Sequence, residues 1–175
     1  LLFLHQSKSN HGKNPNFLKM PLVNPGFDAD LVGALDLYPN WYWNRDKDLV
    51  ALKKATGEYA TFKDNGSYSF DPKFSHLHSG NLNVPINDAV IGDLDGDGKD
   101  DLVYASPGSI GWLKNDGGSN GFLPQGEVIG GLSNDVSSLD LVDYDQDGDK
   151  EIKYRQGNVS GLSENRGSEG FSPVS

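Results

Sequence analysis

Apolar residues in this chain come in short runs separated by polar, glycine-containing or proline-containing stretches. "DLVALKK" from Asp48, "DLVYAS" from Asp101 and "LDLVDYD" from Leu139 are too short for helices and read as strands. The 22 glycines and nine prolines among 175 residues point the same way, to many short strands joined by turns. Between these runs, "ATFKDNGSYSF" (Ala60 to Phe70), "GWLKNDGGSNGF" (Gly111 to Phe122) and "GLSENRGSEGF" (Gly161 to Phe171) echo one another. Asn-Gly and Asp-Gly turns favour tight hairpins, so each copy is expected to run as consecutive antiparallel strands. Phe62, Trp112 and Leu162 are read as equivalent positions that pack in the core or between repeats.

The polar stretches carry the chemistry. In "DLDGDGKDDLVY", counting from Asp93, carboxylates stand at positions 1, 3, 5 and 9 (Asp93, Asp95, Asp97, Asp101), with Gly98 at 6 and Lys99 at 7. Like charges this close repel unless a cation joins them. Calcium takes six to eight hard oxygen ligands at roughly 2.3 to 2.6 Å, and alternate short carboxylates on a turning backbone can meet at one point. Lys99 would contribute its backbone carbonyl. The loop is not an EF-hand: position 12 is Tyr104 instead of a bidentate Glu, and the flanks read as strands rather than helices.

The pattern recurs 50 residues on, at Asp143, Asp145, Asp147 and Glu151, with Gly148 at position 6 and the Asp149 carbonyl at 7. Position 12 is again a tyrosine, Tyr154. An earlier, degenerate copy is traced by aligning Gly33, Leu35 and Asp36 with Gly92, Leu94 and Asp95, and Asp48 with Asp101. Ala34 and Tyr38 replace two of its ligands and an insertion intervenes, so no calcium is expected there. Two calcium ions are therefore expected in all.

These residues, D-x-D-G-D-G-K-x-D-L-V followed by I-G-W-L-K-N-D-G and G-F, resemble the FG-GAP or VCBS-like repeat, which builds integrin α-type β-propellers and related lectins. The resemblance runs from about Gly33 to the end of the sequence and is sharpest at Asp93. It implies an all-β fold of propeller-type blades, four antiparallel strands each, with calcium held in the loop between the last strand of one blade and the first of the next. On this reading the chain is a single array, 1–175, of about three repeats of roughly 50 residues, incomplete at both ends. Its divisions are a partial repeat over 1–47, repeats over 48–100 and 101–150, and a partial repeat over 151–175. Propellers close with about four to eight blades. The array is thus expected to be part of a longer chain, a subunit of a homo-oligomeric ring, or a filament protomer joined to its neighbour through half-repeats.

Charge narrows the partners. With 25 acidic against 15 basic residues the net charge is −10, which disfavours nucleic acid and anionic membrane surfaces. The opening "LLFL" is apolar for only four residues, which is neither a signal-peptide core nor a membrane span, and the chain is read as processed or incomplete. There is no cysteine, so neither disulfides nor thiolate metal sites arise. Calcium loops of micromolar to millimolar affinity suit the outside of a cell, which makes secretion or surface display the expectation. The sequons at Asn65 and Asn158 fit such a location.

The leading functional expectation is a non-catalytic module that recognises a glycan or an extracellular protein. "YPNWYWNR" offers Trp41 and Trp43 beside Asn44 and Arg45 as a candidate ligand platform; the competing reading is that the aromatics fill a blade interface. The alternatives are a structural protomer of a calcium-stabilised ring or filament, and an accessory propeller of a polysaccharide-active enzyme. No Ser-His-Asp, HExxH or phosphate-cradling glycine motif is present, and His76 and His78 lack an evident third metal ligand.

Overall fold

The computed structural model describes residues 26–35, 48–64, 74–117, 121–133 and 136–173. Trp41, Trp43, Asn44, Arg45 and the sequon residue Asn65 lie outside these residues. Among these residues, twelve strands form three four-stranded antiparallel sheets, each in simple chain order. The first holds β1 (Leu31–Leu35), β2 (Asp48–Lys53), β3 (Glu58–Asp64) and β4 (Phe74–Asn81). The second holds β5 (Asp88–Gly92), β6 (Asp101–Ser106), β7 (Ser109–Asn115) and β8 (Phe122–Ile129). The third holds β9 (Val136–Val142), β10 (Glu151–Gln156), β11 (Val159–Asn165) and β12 (Phe171–Pro173). Among the described residues there is no α-helix, only one 3-10 turn at Gly167–Glu169, and no helix long and apolar enough to cross a membrane. The all-β, four-strand blade expected from the sequence is the fold observed, as an open array rather than a closed barrel.

Sequence repeat and sheet are out of phase by one strand, because Asp48, Asp101 and Glu151 each begin the second strand of a sheet. The acidic loops accordingly join β5 to β6 and β9 to β10, inside one sheet. That corrects the placement between blades implied by the family resemblance.

The tight turns also differ from expectation. They fall at Pro107-Gly108, between β6 and β7, and at Gly157-Asn158, between β10 and β11. The segment holding Asp116-Gly117 instead forms a longer connection from Asn115 to Phe122.

Strand register settles which residues are equivalent. Leu49, Leu102 and Ile152 pair with Phe62, Leu113 and Ser163. Trp112 and Leu162 are thus equivalent to Thr61, and Phe62 is one residue out of step with them, on the other face of its sheet. Likewise Leu35 lies opposite Asp48 as Gly92 lies opposite Asp101. Leu35, not Gly33, matches Gly92, and in the sequence Asp36 takes the place of Asp93.

The sheets stack face to face, with β5 touching both β1 and β9. Between the first and second, Leu35, Val50, Leu52 and Tyr59 meet Leu102, Leu113 and Phe122. The Tyr59 and Phe122 rings pack edge to face with centroids 5.9 Å apart. Between the second and third, Val103, Ala105, Ile110 and Leu94 meet Leu139 and Ile152. Leu49, Ala51, Ala60 and Phe62 form a further cluster on the far face of the first sheet, with Phe27 and Ala29 against it.

The outward face of the third sheet breaks the pattern. Where the second sheet presents Val90, Val103, Ala105 and Ile110, the register places Asp140, Lys153, Arg155 and Ser160, all exposed. Charged and polar side chains thus stand where the second sheet buries apolar ones.

The tyrosines at position 12 of each loop are explained by packing. Tyr104 and Tyr154 lie over Gly111 and Gly161 on the paired strand, and Tyr59 lies over Gly80 in the first sheet. Each ring occupies the space that a Cβ on the glycine would need.

Candidate metal centre

Both acidic loops fold through carboxylates that accept hydrogen bonds from amides a few residues on. In the first, Asp93 Oδ2 accepts from the Gly98 amide at 2.8 Å, Asp95 Oδ1 from Asp97 at 3.3 Å and Asp97 Oδ1 from Lys99 at 3.0 Å. In the second, Asp145 accepts from Asp147 at 3.3 Å and Asp147 from Asp149 at 2.9 Å. Gly98 and Gly148 adopt φ of +83° and +100°, the left-handed backbone that favours glycine. Gly96 does the same at +74°, but its counterpart in the second loop is Gln146, held at +65°.

These turns gather the ligands. Asp93, Asp95 and Asp101 each place a carboxylate oxygen within 4.8 Å of the others, and so do Asp143, Asp145 and Glu151. Asp97, at position 5, is turned instead to Lys99 and to Lys114, whose ammonium is 3.1 Å away. Asp147 is likewise outside the close group.

The innermost carboxylates come from the strands. Asp101 opens β6 with no exposed surface and accepts from the Leu94 amide at 3.1 Å and the Asn115 amide at 2.8 Å. Burial pushes its carboxyl up to about 6 from an ordinary 3.8; the two amides pull it down, and Asp97 and Asp93 add to the rise. Glu151 opens β10, 1 % exposed, and its Oε2 accepts from the Tyr144 amide at 2.6 Å.

Two carboxylate oxygens, Asp93 Oδ1 and Glu151 Oε1, are shielded from solvent with no hydrogen-bond partner. A buried, unpaired carboxylate oxygen is costly, and a cation at the centre of each cluster would satisfy it. The donors are all hard oxygens, the set suited to calcium or magnesium rather than zinc or copper. The residues present therefore fit a bound divalent cation.

The two sites differ in charge. Lys114 contacts Asp95 as well as Asp97 in the first. In the second, register and loop position put Glu164 and Asp149 where Lys114 and Lys99 stand, and Glu164 is turned away to Arg166 at 2.8 Å.

Three participants escape a reading based on carboxylate spacing. Besides Lys114 these are Asn115 and Asn165, which end the third strands of their sheets. Asn115 Nδ2 donates to the Asp100 carbonyl at 3.2 Å, and Asn165 Nδ2 to the Leu94 carbonyl at 2.8 Å. Their recurrence at the same distance after Asp101 and Glu151 is the signal that could have found them. Asn158 sits exposed in the β10–β11 turn.

Comparison with curated proteins and with solved structures returned no match. Residues 93–152 match the family model described as FG-GAP-like repeat, a span that begins on the first ligand of one cluster and takes in the last ligand of the other. Together with the four-stranded sheets whose first two strands the loops join, that match is consistent with an FG-GAP-like repeat family.

Proposed function

We propose that this protein is a non-catalytic, calcium-stabilised β-propeller-type module that works outside the cell, where it recognises a glycan or another protein. The observation that carries the reading is the pair of acidic clusters, each with a shielded carboxylate oxygen lacking a partner. Calcium is favoured over magnesium because these loops offer several carboxylates, and calcium accepts six to eight oxygens in variable geometry, whereas magnesium demands near-ideal octahedral geometry and sheds water reluctantly. The extracellular setting rests on the calcium concentrations at which such loops fill. A role in recognition rather than catalysis is supported by the use of the densest carboxylate groups in holding the turns.

Calorimetric titration of metal-free protein with calcium, repeated in excess magnesium, tests the metal. Two calcium ions bound despite magnesium are expected, and absence of calcium binding overturns the reading. Glycan-array screening with Trp41→Ala and Trp43→Ala variants that still fold tests the recognition half. Signal lost in both variants supports a glycan ligand, and an array without hits removes it.

A further inference from the structure

The two clusters belong to different sheets, yet their loops touch. Asn165 Nδ2 donates to the Leu94 carbonyl in the first loop at 2.8 Å, and also lies 3.4 Å from the Lys150 carbonyl, which immediately precedes Glu151 in the second. Its Oδ1 accepts from the Gly167 amide at 3.1 Å, which fixes the side chain with its amide group aimed at both loops. Asn165 is 6 % exposed. The peptide unit on the far side of Leu94 completes the chain, because the Leu94 amide holds Asp101 Oδ2. Leu94 itself, 1 % exposed, is packed against the third sheet. Asp149 of the second loop also reaches the first, its Oδ1 lying 3.6 Å from where a Cβ on Gly96 would stand.

From this juxtaposition, and building on the calcium reading above, we propose that the two loops bind cations as a positively coupled pair with Asn165 as the positioning residue between them. The second site fills first, because acidic residues stand there where the first has Lys99 and Lys114. A cation drawing in Glu151 Oε1 fixes the start of β10 and the Lys150 carbonyl beside it. Asn165 is then held in place, and through Leu94 so is Asp101, the innermost ligand of the first site. The ordering cost of the first site is met in advance, which is positive coupling, and linkage makes the effect reciprocal.

Through-space electrostatics has the opposite sign and makes the test decisive. Asp145→Asn disables the second site without touching Asn165. An empty Asp145→Asn site carries one positive charge fewer than the filled native site, so repulsion alone would make the first site bind calcium slightly tighter in the variant. The coupling makes it bind more weakly, by about fivefold or more.

Occupancy of each site is read separately from the amide NMR signals of Gly98 and Gly148 during calcium titration in physiological salt. The expected result is concerted movement of the two signals in the native protein and a weakened Gly98 response in Asp145→Asn. In Asn165→Ala the concerted movement should be lost, and adding Asp145→Asn to it should no longer weaken the Gly98 midpoint but leave it equal or slightly tighter, as repulsion alone requires. A Gly98 midpoint in Asp145→Asn equal to or tighter than native overturns the coupling even if Asn165→Ala fails to fold. Two ions bound independently would refute the coupling and leave the calcium module standing, whereas absence of binding at both loops would refute both.

Discussion

Asp101 makes a prediction about the metal-free protein that runs against the usual acid sensitivity of folded proteins. Its folded carboxyl titrates near 6, against an ordinary 3.8, because it is buried. The folded state thus holds a proton at this site over a range in which the unfolded state has released it. Stability rises with pH where the unfolded state binds more protons, so here it falls as pH climbs from about 4 to about 6. Displacement from 3.8 to about 6 corresponds to about 3 kcal/mol, lost in full by neutral pH.

The assay is urea unfolding between pH 4 and 7.5 on protein freed of divalent cations over a chelating resin, with Asp101→Asn in parallel. The variant cannot titrate at this position, so the difference between the two proteins isolates it from every other carboxyl. Native stability relative to the variant should drop by about 2.5 kcal/mol across that range, the rest of the displacement being lost already below pH 4. Saturating calcium should abolish or reverse the trend, since the cation favours the ionised form. A native-minus-variant difference that is flat, or that rises with pH, would refute the argument that burial dominates at Asp101.

Other consequences follow from the packing. Leu94→Ala empties a filled site between sheets and should cost about 2 to 5 kcal/mol in thermal or urea unfolding, whereas Tyr144→Ala, at the equivalent loop position but 69 % exposed, should change stability by less than about 0.5 kcal/mol. Gln146→Gly relieves a side chain from the left-handed backbone that Gly96 occupies freely, and should stabilise the metal-free protein by about 0.5 to 1 kcal/mol, read as a shift in urea midpoint. Gly161→Ala would set a methyl into the space filled by the Tyr154 ring and should destabilise by about 1 to 3 kcal/mol in the same measurement. Replacing Asp140, Lys153, Arg155 and Ser160 together by the Val, Val, Ala and Ile of the second sheet should produce concentration-dependent self-association in sedimentation, because an exposed apolar sheet face of this kind seeks a partner.

The sequence by itself determined the local terms. Short apolar runs between glycine-rich turns specify strands, and alternate aspartates around Gly98 and Gly148 specify tight loops with converging oxygens, because both depend on residues within a dozen positions of one another. The tertiary structure decided the rest. Phe62 matches Trp112 by eye, but side chains alternate with a period of two, and a slip of one residue that no local pattern reveals moved it to the opposite face. Which strands share a sheet depends on pairing across the loops, and so the acidic loops lie inside sheets rather than between them. Asn165 and Leu94 are 71 residues apart, and the hydrogen bond that joins the two sites exists only because the third sheet is stacked on the second.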